Sequence, residues 1–142
     1  MTQICVTGMG AITPVGNDVG ETWGALLEGA SGIAPVRQFD ASRLSTRIAG
    51  EVKNFDAGEL LGRKNAHRMA RFSQFAMVAS REAVEQAGLN FADLDPERVG
   101  VLIASGIGGL AEIENATRVL DKDGPRRVSP LVIPMMIGDM AS

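Results

Sequence analysis

The 142 residues carry 45% hydrophobic, 22% charged and 4% aromatic side chains, 17 glycines and a formal net charge of −3. That balance is ordinary for a soluble globular chain and excludes bulk nucleic-acid binding, which needs a basic surface. One cysteine, Cys5, excludes an internal disulfide framework and fits a reducing cytoplasm, no apolar run reaches the roughly 18–20 residues that span a bilayer, and the N-terminus lacks the basic-then-apolar pattern of a signal peptide.

Gln3 to Thr7 is a short β-branched run that breaks at Gly8 and reads as a buried strand, with Cys5 as a structural thiol inside it. Gly8 to Gly16 is a glycine- and proline-punctuated loop. Asn17-Asp18 opens a helix, with Glu21 placed for a capping box, Trp23, Leu26 and Leu27 as its apolar side and Gly29 as its stop. Residues 30 to 46 read as irregular, and Arg47 to Val52 as a second strand. A long helix is expected from about Lys64 to Ala87, stopped by Gly88, because Met69, Phe72, Phe75, Ala76, Ala79, Ala83 and Ala87 recur at helical spacing. Val99 to Ala104 is a continuous apolar run, as in a strand covered on both faces. It enters the turn Ser105 to Gly109, and Leu110 to Leu120 reads as helix. After the Pro-marked stretch from Gly124 to Pro134, Pro134 suits the first turn of a further helix. No C-cap follows it, so the sequence reads as a fragment. Strands alternating with helices imply a layered α/β fold.

Four features bear on function. Gly8-x-Gly10 after a strand resembles a dinucleotide-binding turn, but Thr13 stands where a third glycine belongs and no helix starts at the turn. Glycines that let loop backbone pack closely explain it better; a nucleotide-binding module, testable with NAD or ATP, is the rival from another class. The turn Ser105 to Gly109 runs on into Leu110 and Ala111 with no Lys-Ser or Lys-Thr, so it is no phosphate cradle. Its one bulky side chain, Ile107, could form an apolar pocket wall, or the segment could be a plain strand-to-helix turn. Between Glu59 and Glu82 there is no acid, while Arg63, Lys64, His67, Arg68 and Arg71 cluster near a helix N-terminus, with Lys64, His67/Arg68 and Arg71 spaced to share one helical face. Cations there oppose the macrodipole, which points to an external anion as well as to simple solvation; Arg126-Arg127 could extend the patch. Finally, with one His and one Cys no nucleophile–base–orienter set can be built, and no metal-ligand cluster is present.

Several segments taken together resemble the β-ketoacyl–carrier-protein synthases of the elongating, synthase II class. They are VTGMGAITPVGNDV (6–19), LLEGASGI (26–33), FDASRLSTRIAGEV (39–52), RKNAHRMARFSQFA (63–76), ERVGVLIASGIGGL (97–110) and GPRRVSPLVIPMMI (124–137). Each is weakly specific, but their order and spacing over nearly the whole chain make the match strong. The resemblance implies a thiolase-like layered α/β fold in a homodimer, of which residues 1–142 are the early part of the first half, incomplete at the C-terminus. It implies an acyltransferase that moves an acyl group from an acidic acyl carrier protein to a cysteine and condenses it with malonyl-carrier protein, releasing CO₂. That chemistry needs a cysteine nucleophile and two histidines, and neither Cys5 nor His67 matches them, so no catalytic residue is expected here. No cofactor, metal, nucleic acid or membrane is implied. The carrier-docking patch corresponds to Lys64, His67, Arg68, Arg126 and Arg127, with His67 where a permanent cation is common. Ile107 corresponds to the acyl-pocket residue on the glycine turn, and Leu131 and Val132 to the pocket gate from the partner subunit. A polyketide ketosynthase, or a catalytically dead chain-length partner of one, is the alternative.

Overall fold

The computed structural model describes residues 3–142. They fall into two compact units: one takes in the chain through Phe55 together with Ala79–Leu89, the other Asp56–Val78 together with Asn90–Ser142.

In the first unit, helix α1 spans Val19–Leu27. Asp18 Oδ1 accepts from the Glu21 N–H at 2.7 Å and the Glu21 carboxylate accepts from the Asn17 N–H at 2.8 Å, so side chains satisfy N–H groups that helix geometry leaves orphaned. The helix stops as expected at Gly29, whose φ is 69°. Gly29 N–H donates to Leu26 O and Ala30 N–H to Ala25 O, the paired bonds of a Schellman motif. Its expected core face is not covered: Trp23, Leu26 and Leu27 are all exposed. Strands β1 (Ile33–Pro35) and β2 (Ile48–Gly50) pair antiparallel, Ile33 opposite Gly50 and Pro35 opposite Ile48. The expected strand at Arg47 to Val52 thus shortens to three residues, and its partner lies in a stretch read as irregular.

The second unit opens with helix α2 (Ala57–Leu61), capped by Asp56 Oδ1 on the Glu59 N–H, and helix α3 (Arg63–Ala66), with Gly62 at φ 79° between them. Helix α4 (Arg71–Ala87) follows, its residues through Val78 belonging to this unit and those from Ala79 to the first, and ends in a second Schellman pair at Gly88 and Leu89. The single helix expected from Lys64 to Ala87 is therefore two. The Gln74 amide donates at 3.0 Å to both Ala66 O and Met69 O, holding the carbonyls of the break. The turn also buries Ala70, only 2% exposed. Helix α5 (Leu110–Asp123) runs one turn beyond Leu120, a 3₁₀ turn covers Pro125–Arg127, and helix α6 (Val132–Met136) has Pro134 in its first turn. Among the described residues the buried side chains of this unit are Leu61, Ala70, Ser73 and Ala141, and that of the first is Ala41.

Two expected strands do not form. Gln3–Thr7 and Val99–Ala104 have no ladder partner among the described residues, and Ile4 and Leu102 are each 96% exposed. An apolar run marks a segment that prefers cover, but a strand exists only where a second strand supplies its hydrogen bonds. Cys5 is accordingly exposed, not a buried structural thiol.

Candidate functional site

The Gly8–Gly10 turn is closed to a phosphate. A Cβ on Gly8 would overlap the carbonyl of Ala83, and one on Gly10 the carbonyl of Ala79, so the turn lies directly on the small-residue face of α4. Its amides are already engaged: Met9 N–H donates to Gln86 Oε1 at 2.7 Å and Ala11 N–H to Glu82 Oε2 at 2.9 Å. Glu82 Oε1 takes the Val19 N–H at the start of α1, at 2.8 Å. The expectations passed over Glu82 and Gln86. Their signal was a polar residue at each step beside Ala79, Ala83 and Ala87, facing a loop rich in unsatisfied donors.

The second glycine turn is built differently. Gly109 N–H donates to Met136 O at 3.1 Å and Gly108 N–H to Ser105 Oγ at 2.9 Å. A Cβ on either glycine would overlap the backbone of Met135 or Met136, and Gly108 has φ 78°. This close approach brings the turn against α6, the helix that begins at Val132 just after Leu131. Ile107 is 70% exposed, while Leu131 and Val132 are half-buried. Ile107 and the Leu131–Val132 pair therefore flank one backbone junction in the same unit.

The cations divide between two places in that unit. Lys64 lies on α3, which packs on α2; His67 is the C-cap of α3 and Arg68 follows it in the turn. Arg126 and Arg127 lie in the 3₁₀ turn that packs against α5. All five side chains are exposed, and none has a hydrogen bond or ion pair among the described residues. Because the helix breaks at residues 67–70, Lys64, Arg68 and Arg71 do not share one helical face. Arg71 instead stacks its guanidinium 4.8 Å from the Phe75 ring centroid. No group of three His, Cys, Asp or Glu side chains that could hold a metal occurs among the described residues, and no helix there is long and apolar enough to cross a membrane.

Solved ketosynthase structures share this backbone arrangement. The ishigamide ketosynthase/chain length factor matches at TM-score 0.80 with 27% identity, covering 96% of this chain and 34% of that one. A β-ketoacyl synthase from Burkholderia phymatum STM815 matches at TM-score 0.77 with 25% identity, covering 99% and 35%. The chain thus carries part of the thiolase-like layered α/β fold of ketosynthases. It belongs to the β-ketoacyl synthase family, whose N-terminal domain profile matches residues 1–142. Among curated relatives, 3-oxoacyl-[acyl-carrier-protein] synthase 2 of Synechocystis sp. (strain ATCC 27184 / PCC 6803 / Kazusa) is 49% identical over 140 residues, and that of Staphylococcus aureus (strain N315) 47%. Each alignment covers 99% of this chain and 34% of the relative, so the chain spans about a third of their length.

Proposed function

We propose that residues 1–142 serve a fatty-acid-elongating 3-oxoacyl–acyl-carrier-protein synthase as its carrier-docking surface and part of its acyl-pocket wall. The observation that carries this reading is the 49% identity, across 99% of the chain, to a protein of that name. In the reaction a cysteine thiolate attacks the acyl thioester and releases the carrier thiol. Loss of CO₂ from malonyl-carrier protein then leaves an enolate that attacks the acyl-cysteine, forming the C–C bond and freeing the thiolate. A nucleophile for the first step needs a base or a helix N-terminus beside it, and the enolate needs fixed donors. Cys5 and His67 are both exposed and belong to different units, so these residues supply neither requirement. Residues 1–142 expressed alone are expected to show no condensation of acyl- with malonyl-carrier protein.

What they supply is recognition. Lys64, His67, Arg68, Arg126 and Arg127 receive the acidic carrier protein; the support is that all five are exposed and keep their side chains free of internal partners. Ile107 lines the acyl pocket, and Leu131 and Val132 gate the pocket of the partner subunit in a cytoplasmic homodimer. Charge reversal at Lys64, Arg68, Arg126 and Arg127 together, in the full-length protein, tests the docking role. Each exposed pair contributes only about 0.2–1 kcal/mol, but four reversals should slow transfer from acyl-carrier protein on the order of tenfold or more. Added salt should slow the wild type in the same direction. Turnover of a small acyl thioester that bypasses the carrier should survive; equal loss of both activities would make the patch structural.

A second reading, a polyketide ketosynthase or an inactive chain-length partner, is favoured by the likeness to the ishigamide ketosynthase/chain length factor. Trapping a covalent acyl-enzyme in the full-length protein by mass spectrometry separates an active synthase from an inactive partner.

A further inference from the structure

The loop that joins β1 to β2 in the first unit carries three arginines, Arg37, Arg43 and Arg47, all exposed and none in an ion pair among the described residues. The loop is held in shape from within. Its ends close through the Val36 N–H on Arg47 O at 3.0 Å, the Leu44 N–H donates to Ala41 O at 3.0 Å, and the Ala41 side chain is buried. Arg47 Nε–H donates to Leu44 O at 3.1 Å, which brings that guanidinium to the residue after Arg43. At the base, a Cβ on Gly32 would come within 2.6 Å of Pro14 Cβ, so the hairpin rests directly on that proline. The two acids of the hairpin are spent on backbone amides. Glu51 accepts from the Arg37 and Gln38 N–H groups, each at 3.1 Å, and Asp40 from the Ser42 N–H at 2.9 Å. The bonds from Ser42, its backbone N–H first and its hydroxyl second, hold the Asp40 carboxyl below its ordinary value. Phe39 and Leu44 stand 58% and 49% exposed in the same loop. Arginines beside an exposed aromatic are the composition of protein-binding surfaces, and a loop already in shape loses little freedom on binding. A free guanidinium fork matches a carboxylate. A chain of net charge −3 offers no broad basic surface to nucleic acid or lipid, so the occupant that fits is an acidic protein.

We infer that the loop of residues 36–47 is a carrier contact in its own right, receiving carboxylates of the acidic carrier protein on Arg37, Arg43 and Arg47. This rests on the proposed function for its partner, but on none of the five cations assigned to docking above.

The test is a titration of the full-length protein with an apo acyl carrier protein at low salt, and separately with phosphatidylglycerol vesicles. R37E/R43E/R47E should weaken carrier binding about fivefold or more, at an unchanged melting temperature because all three side chains are exposed. R37K/R43K/R47K keeps every charge but loses the planar fork, and should still weaken binding about two- to threefold. Wild-type affinity in the reversal variant overturns the inference. Wild-type affinity in the lysine variant overturns it too, because the arginines would then act only by long-range steering. Vesicle binding that the reversal abolishes, with carrier affinity unchanged, gives the loop to a lipid surface instead. K64E/R126E, measured alongside, separates the two readings. Loss there without loss in the loop variants removes the loop and leaves the docking patch standing; the converse removes the patch and leaves the loop. A wild type that binds no carrier removes the proposed function itself.

Discussion

Two glycine turns of similar composition sit in different units of this protein, and they have been put to different uses. Gly8–Gly10 lies on α4 with three nearby donors answered by side chains of that helix: Gln86 for Met9, Glu82 for Ala11 and Val19. Gly108–Gly109 lies on α6 through backbone alone, Gly109 N–H to Met136 O, and leaves Ile107 exposed. In both, glycine is required because a Cβ would strike backbone of the facing helix. The first turn uses that contact to fasten a loop and a helix start to α4. The second uses it to fix the base of a segment whose bulky side chain stays free. A glycine-rich turn is therefore not a functional signature; what its neighbours leave unsatisfied or exposed is.

The largest effect that could break this comparison is expected at the glycines of the first turn. Gly8→Ala and Gly10→Ala each push a methyl group into a helix carbonyl that cannot swing away. Overpacking costs about 1–3 kcal/mol per site and more where backbone must move, so the double variant of the full-length protein should melt far below the wild type or fail to accumulate. Gly108→Ala should be as severe, because overlap with Met136 O adds to a φ of 78° that alanine disfavours. A wild-type denaturation midpoint for G8A/G10A would mean that the turn does not rest on α4.

Glu82 sharpens the contrast at a smaller magnitude. Glu82→Ala leaves the Ala11 and Val19 amides without their acceptor at part-buried positions. Hydrogen bonds to a charged group contribute about 1.5–3 kcal/mol, so urea denaturation should show a loss of about 2–3 kcal/mol. Glu82→Gln keeps one acceptor oxygen and should lose less. Removing the cap Asp18, which serves a single N–H, should cost about 1 kcal/mol. Equal losses for D18A and E82A would mean that Glu82 holds only one of its two partners.

The helix ends were legible in the sequence because their signals are local. Asp18 with Glu21 marked the start of α1, and Gly29 and Gly88 marked stops that the structure closes with Schellman bonds. Of the strands only Ile48–Gly50, inside the expected Arg47 to Val52, was legible, because apolar character predicts cover without naming what provides it. Gln3–Thr7 and Val99–Ala104 find no ladder among the described residues, while the short Ile33–Pro35, with a proline and no alternation to announce it, does. The break between α3 and α4 depended on Gln74 reaching back eight residues to Ala66, a tertiary bond that overrode an uninterrupted helical period. The cations Arg63, Lys64, His67, Arg68 and Arg71 were visible as an acid-free interval, but their division between α3, the turn after it and the start of α4 followed from that unseen break.

Ile107 carries the smallest expected effect on stability and the most informative one on function. The turn beneath it is held by Gly108, Gly109 and Ser105, none of which depends on the Ile107 side chain. Ile107→Ala should therefore change the stability of the full-length protein by no more than about 0.5 kcal/mol, the usual range for a side chain away from the packed contacts. If Ile107 lines an acyl pocket, selectivity is where the change must be read. Ile107→Phe would then take volume from that proposed pocket, and each methylene denied burial loses about 0.8 kcal/mol, or roughly fourfold in kcat/KM. Short acyl-carrier thioesters should be elongated almost as before, while long ones lose ground in proportion to chain length. Loss of all chain lengths equally, with an unchanged melt, would take Ile107 out of the pocket. A large loss of stability in I107A would show that its exposed side chain is packing surface, and that the second glycine turn is a fastening like the first.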